Sequence, residues 1–483
     1  MPGSVAPESV ASLGARAVLQ LVVRAIATRS VTLVGTIALA RLLTPEEFGI
    51  FAVVTFIVTL VTVVGDIGIG GALIQQVHPP TDRELATALT FQLAIWTAVF
   101  AVVLILAAIL PMVVPELPAA AAPLARFLGF AVLLNGLRAI PTVILTRVLR
   151  FAPLAVLEVV QQIVYFGLAV LLAAAGAGVL SFGVAAVAQG LIATIALWAI
   201  YGHWPGLGFD LAAARRMWGF GVSYQFANAL YWARDSVVAL FGGLAGGLQA
   251  VGFAQFGWRN GQFAVSVEEI VARVAFPAFS RLQTDQLRLG AIASAAIEAG
   301  FLAIAVIQGW LAATAPTLVP IVFSDRWSPA VHVFQLICVG SLAWGPVLIL
   351  RALVYARGES RLGLGIAALT VAILFVSFPI LVVAAGLTGA GLAYSISAVA
   401  SLLVYVWATR AVVTFPWGSV GRILVETVVA SAAAMVVVGS IGGLRGLVAS
   451  GLAYLVVFAI LVAFFERGLL RRARAIATGS PAT

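Results

Sequence analysis

A chain of 483 residues in which 63% are hydrophobic and 9% charged lacks the polar surface that a soluble protein of this length needs. Its formal net charge of +9 comes entirely from arginine, and the way those arginines are spread along the chain reads as membrane topology instead of a nucleic-acid-binding patch. The one cysteine, Cys338, excludes an intrachain disulfide, and three histidines form no metal-ligand cluster. With no phosphate-cradling loop and no nucleophile elbow either, no cofactor, metal or catalytic residue is expected.

A helical span takes about 20 apolar residues, and up to fourteen such stretches follow one another along the chain. The first seventeen residues are polar and small, without the short apolar core and cleavage site of a signal peptide. The first span, 18–40, carries Arg24, Thr28, Thr32 and Thr36 on one stripe, with Arg29 nearby. Next comes Thr44-Pro45-Glu46-Glu47, which reads as a helix start: a capping threonine, proline at the first helical position and acids on the dipole. The second span, 48–74, places Thr55, Thr59, Thr62 and Asp66 on one face. Spans 86–110, 124–145, 154–175 and 182–201 complete a first set of six.

The longest polar stretches, 203–217 and 280–290, are loop-sized, which leaves no room for a soluble catalytic domain. Span 217–243 holds Asn228, Tyr231, Arg234 and Asp235. Span 249–275 carries the longest polar stripe, Gln255, Arg259, Gln262, Ser266, Glu269 and Arg273, at i, i+4, i+7, i+11, i+14 and i+18. Span 291–323 is one kinked helix, with Pro316 and Pro320 inside it. Spans 329–355, 362–385, 387–409, 421–442 and 447–465 follow. Ionised groups at membrane depth usually face a bundle interior or a hydrated cavity. Arg138, Arg273 and Arg351 lie near span ends, where snorkelling to the interface is the other reading. Threonine stripes also have two readings, packing seam or cavity wall.

Alternate connections carry sixteen arginines on one side and four on the other. That bias puts both termini in the cytoplasm and the Thr44–Glu47 turn outside. A shift of 203 residues sets Thr59 on Gln262 and Asp66 on Glu269, and "AAGAGVLSFGVA" (174–185) resembles "AAGLTGAGLA" (384–393). The expected organisation is therefore an all-α polytopic membrane protein of about fourteen helices. Residues 1–205 and 206–410 form two pseudo-symmetric six-helix lobes, and 411–483 adds two further spans and a basic tail.

"LARLLTPEEFGIFAVV" with "GDIGIGGALIQ" resembles the N-terminal signature of the Wzx-type polysaccharide flippases, in the multidrug/oligosaccharidyl-lipid/polysaccharide exporter superfamily. "VGFAQFGWRNGQF" (251–263), "VAFPAFSRLQTD" (274–285) and "SDRWSPAVHVFQLICVG" (324–340) are similar to its patterns in the second half, with Phe253 and Phe256 where tyrosine is usual. The resemblance implies a central cavity, alternating access, and a polyprenyl-diphosphate-linked glycan carried to the outer leaflet of the bacterial inner membrane. It also implies membrane lipids as surroundings, and polymerase and glycosyltransferases of the same pathway as partners.

The residues suit such a cargo. Arginine offers forked donors to phosphate and stays charged when desolvated, while amides and aromatics suit sugar hydroxyls and ring faces. Arg24, Arg29, Asn228, Tyr231, Arg234, Gln255, Arg259 and Gln262 are the expected cavity residues, with Arg24 and Arg259 clamping the diphosphate. Asp66, Asp235, Glu269 and Arg273 are expected to gate the cavity or couple it to an ion. A cation or drug antiporter of the same superfamily is the alternative, and the arginine stripes speak against it. A membrane glycosyltransferase or polymerase would need a larger outward loop than Glu46 and Glu47 provide.

Overall fold

A computed structural model gives the fold and describes residues 27–65, 73, 78, 80–113, 117–148, 150–211, 232–265, 272, 275–276, 279–283 and 285–466. Among these residues every regular element is helical. The chain forms two compact units, Met1–Ala229 and Leu230–Thr483. Among the described residues nine helices are long and apolar enough to cross a membrane, or ten if one bent pair counts as a single span, which is compatible with about fourteen.

The first unit contains α1 (27–42), α2 (Pro45–Gly65), α3 (Asp82–Val113), α4 (Ala121–Leu137), α5 (Ala139–Arg147), α6 (Phe151–Ala174) and α7 (Leu180–Tyr201). A reciprocal cap opens α2. Thr44 Oγ1 accepts from the Glu47 N–H at 3.2 Å, and Glu47 Oε2 accepts from the Thr44 N–H at 2.7 Å. The cap satisfies two orphan donors, and Pro45, first in the helix, lacks an N–H where it would have had no helical acceptor. Thr81 and Glu84 cap α3 the same way. α4 is central, packing on α2, α3 and α7, and Phe51 of α2 stacks on Phe182 of α7 at 4.2 Å.

The expected span 124–145 is the bent pair α4–α5, which turns by 41°. Pro141 has no N–H to give the Leu137 carbonyl, and the Trp198 indole of α7 supplies one instead at 3.0 Å.

The second unit contains α8 (232–241), the 3-10 turn Gly242–Ala245, α9 (Gly247–Gly261), α10 (Gln286–Phe323), the 3-10 turn Asp325–Ala330, α11 (Val331–Ala356), α12 (Ser360–Thr409), α13 (Trp417–Ile441) and α14 (Gly443–Phe465). α10 is continuous through both prolines, as expected. The Ala312 carbonyl orphaned by Pro316 is met by Gln335 Nε2 of α11 at 2.9 Å. α12 is two helices, broken at Gly386 (φ 58°, ψ −138°). Few residues other than glycine adopt that conformation, and the break falls between the expected spans 362–385 and 387–409. α13 and α14 pair with each other and dock on α10, where Tyr454 donates to the Ala305 carbonyl at 2.8 Å.

One expectation needs correcting. Span 249–275 was expected as one helix carrying a six-residue stripe, but α9 stops at Gly261 and the chain turns through 262–264. A Cβ at Gly261 would meet Ile337 and the Phe334 carbonyl of α11, so only glycine allows this approach. The turn leaves the Gly261 carbonyl without its helical donor. Buried Gln308 of α10 replaces it, donating Nε2 at 2.7 Å. The polar stripe therefore does not run on past Gln262 as one straight helical face.

Candidate functional site

α9 is amphipathic in the sense opposite to a lipid-facing helix. Ala250 through Ala254, Phe256, Gly257, Trp258 and Gly261 are buried within the protein. Gln255 is half-buried and Arg259 is exposed, so the open side of the helix is its polar side. The apolar side is fixed by aromatic packing: Phe256 stacks on Trp327 at 4.6 Å, and Trp258 meets Tyr394 edge-on at 5.0 Å. A charged side chain open to hydrocarbon is costly, whereas one open to water is not. Gln255 and Arg259 thus lie on the side of α9 that the protein leaves uncovered.

Arg234 of α8 lies in different surroundings. Its guanidinium donates to Gln262 Oε1 at 2.9 Å and sits 4.3 Å over the Trp344 ring. Its side chain is 19% exposed. Gln262 is fixed in turn, donating Nε2 to the Trp258 carbonyl at 2.9 Å. Asp235 stands 3.9 Å from Arg234 Nε but is itself largely exposed. Beside this pair lies a small, part-open recess lined by Arg234, Trp344, Arg351, Thr370 and Tyr405 among others.

Of the expected site residues, the structure thus joins Arg234 to Gln262 and to Asp235. Gln255 and Arg259 share the open side of α9, and Arg29 is exposed on α1. Arg24, Asp66, Asn228, Tyr231, Glu269 and Arg273 lie outside the described residues. The threonine stripes are partly self-satisfied, since Thr32 bonds the Thr28 carbonyl and Thr62 the Val58 carbonyl of its own helix. Of the arginines read as snorkelling or buried, Arg138 turns to Gln161 at 2.9 Å and Arg351 lines the recess. Sequence reasoning missed Trp344. The signal available was Trp344, Val347 and Arg351 at i, i+3 and i+7, one face of α11.

The family model described as polysaccharide biosynthesis protein matches residues 38–332. The chain is 25% identical over 328 residues to the lipopolysaccharide biosynthesis protein WzxC of Escherichia coli (strain K12), a match covering 64% of this chain and 63% of that protein. The chain thus spans less than two thirds of that relative's length. Among solved structures, the fold is similar to lipid II flippase MurJ in an inward closed conformation, with TM-score 0.74 and 14% identity over 93% of this chain and 100% of that one. It is also similar to an inward-facing multidrug resistance MATE family transporter of the MOP superfamily, with TM-score 0.59 and 14% identity over 80% and 94% of the two chains. At such identities the likeness speaks for the fold, that of a multi-pass membrane protein.

Proposed function

The chain belongs to the polysaccharide biosynthesis protein family, and from that premise we propose that it is a flippase. Its cargo is a lipid-linked oligosaccharide, built on undecaprenyl diphosphate, moved from the inner to the outer leaflet of a bacterial cytoplasmic membrane. The observation that best supports this reading is the open polar side of α9, with Gln255 and Arg259 on a helix whose apolar side is packed inward. A diphosphate crossing a membrane needs fixed cations in a hydrated space, and a guanidinium keeps its charge there.

In this reading Arg259 and Arg24 clamp the diphosphate, while Arg29, Asn228, Tyr231 and Gln255 meet the sugars. Arg234 and Gln262 border that wall and brace its end. The lipid tail stays in the bilayer. Residues 1–205 and 206–410 act as the two lobes, with 411–483 appended and both termini in the cytoplasm. Asp66 and Glu269 occupy matching places in the two halves, where they gate or couple the cycle with Asp235 and Arg273. Polymerase and glycosyltransferases of the same pathway act before and after the transport step.

A strain depleted of the protein tests the reading. It should accumulate undecaprenyl-diphosphate-linked oligosaccharide and lose surface polymer, with unchanged drug tolerance. Normal polymer together with lowered tolerance to cationic drugs would favour the antiporter.

A further inference from the structure

α13 packs on α10 and α14, and the seam between them contains an acidic side chain. The buried face of α13 runs Val420, Ile423, Glu426, Thr427, Ala430 and Ala434, one stripe at helical spacing. Ile423 and Ala430, a turn to either side of Glu426, are fully buried in the apolar core. Glu426 itself is 4% exposed, and among the described residues neither of its carboxyl oxygens has a hydrogen-bond partner. A buried carboxylate ordinarily accepts hydrogen bonds or pairs with a cation, because an uncompensated charge is costly away from water.

The donors around it are committed elsewhere. Arg422, one turn earlier on α13, donates Nε to Glu466 Oε1 at 2.7 Å and Nη2 to Glu466 Oε2 at 3.4 Å. The same Nη2 reaches Ser419 Oγ at 3.1 Å, and Ser419 donates to Glu298 of α10 at 2.8 Å. Thr427 donates to the Ile423 carbonyl of its own helix, and Tyr454 of α14 to the Ala305 carbonyl. Among the described residues, the charged groups that reach Glu426 are therefore Glu466, a like charge, and the arginine already paired with it.

Water, a metal ion or a proton could settle such a carboxylate. Water would donate to it but leave its charge in an apolar seam beside Glu466. A metal ion needs several oxygen ligands. Among the described residues no three His, Cys, Asp or Glu side chains are placed to hold one, and Glu466 is closed off by Arg422. A proton removes the charge with one covalent bond. The neutral acid leaves only its O–H unpaired, a smaller cost than an uncompensated charge.

We propose that Glu426 is a proton-binding site, its carboxyl group neutral while α10, α13 and α14 are packed together, and that loss of the proton weakens this seam. The site goes beyond the flippase reading and does not depend on it, since the proton is detected without transport.

The test uses the full chain purified in a neutral detergent. Protonated carboxyl groups show an infrared C=O stretch that ionised ones lack. The wild-type spectrum minus that of Glu426→Gln should contain this band at neutral pH. Thermal unfolding gives an independent reading. A proton held by the folded chain and released on unfolding makes stability fall as pH rises above about 4.3, where an exposed glutamate ionises. Between about pH 5 and about pH 7 the wild-type melting temperature should therefore fall relative to that of Glu426→Gln. One proton corresponds to about tenfold in the unfolding equilibrium per pH unit.

A subtracted spectrum without the band at neutral pH means an ionised Glu426 and overturns the site. So does a melting difference between the two proteins that stays constant with pH. Should Glu426→Gln not fold, Glu426→Met takes its place in both comparisons. Failure of both neutral variants to fold overturns the site, because the seam would then require the charge.

Discussion

Arg234 and Arg259 sit in one unit yet in opposite conditions, and the difference follows from their neighbours. Arg259 projects from the open side of α9. Arg234 is folded against Trp344 and tied to Gln262. Arg234→Met should leave Gln262 Oε1 without its charged donor and cost about 1–3 kcal/mol, read as a lower melting temperature in detergent. Asp66 and Glu269 are the residues where two roles compete. Flipping by Asp66→Asn and Glu269→Gln across a pH range separates them. A gate gives impaired transport with an unchanged pH profile, partly rescued by a charge swap with Arg29 or Arg273. A coupling site gives loss of the pH dependence itself.

Part of the candidate site was legible at this scale. Arginines and amides stand out in apolar helices, so Arg234, Arg259 and Gln262 could be picked from sequence. Trp344 could not, because a tryptophan among apolar residues is ordinarily packing, and its contact with Arg234 exists only once α8 is placed beside it.

At the scale of elements, proline and glycine mark where a helix loses a backbone bond, and a distant side chain completes the backbone there. Trp198 serves the carbonyl left by Pro141, Gln335 the one left by Pro316, and Gln308 the one left at Gly261. The first two carbonyls announce themselves through prolines. The end of α9 does not: Phe263, Ala264 and Val265 continue the apolar run, and the residue that makes the break tolerable, Gln308, lies 47 positions away. That is why the sequence reading carried the stripe through it. Gly386, by contrast, was readable as a boundary between two apolar runs. Gly386→Ala forces a side chain into a backbone conformation reserved for glycine. It should cost about 1–3 kcal/mol, seen as reduced thermal stability of the purified protein.

The whole molecule is constrained most by where its arginines fall. If both termini are cytoplasmic, reporter fusions after residues 46, 117, 178, 246, 326 and 444 should report the outside. Fusions after 80, 149, 212, 285, 359 and the C-terminus should report the cytoplasm. An outside signal at 285 would contradict the span count, because it would reverse every helix after α9. The topology in turn decides which end of the open side of α9 first meets a cytoplasmic cargo.

Transport itself tests the account most directly. The full chain is reconstituted in vesicles with a labelled undecaprenyl-diphosphate oligosaccharide, and the fraction of label newly exposed to a membrane-impermeant glycan-cleaving enzyme is followed with time. The wild type should expose the label far faster than empty vesicles, Arg259→Lys should retain part of that rate, and Arg259→Ala should fall to the background. Wild-type activity in Arg259→Ala, or a wild-type rate no faster than that of empty vesicles, would contradict the account.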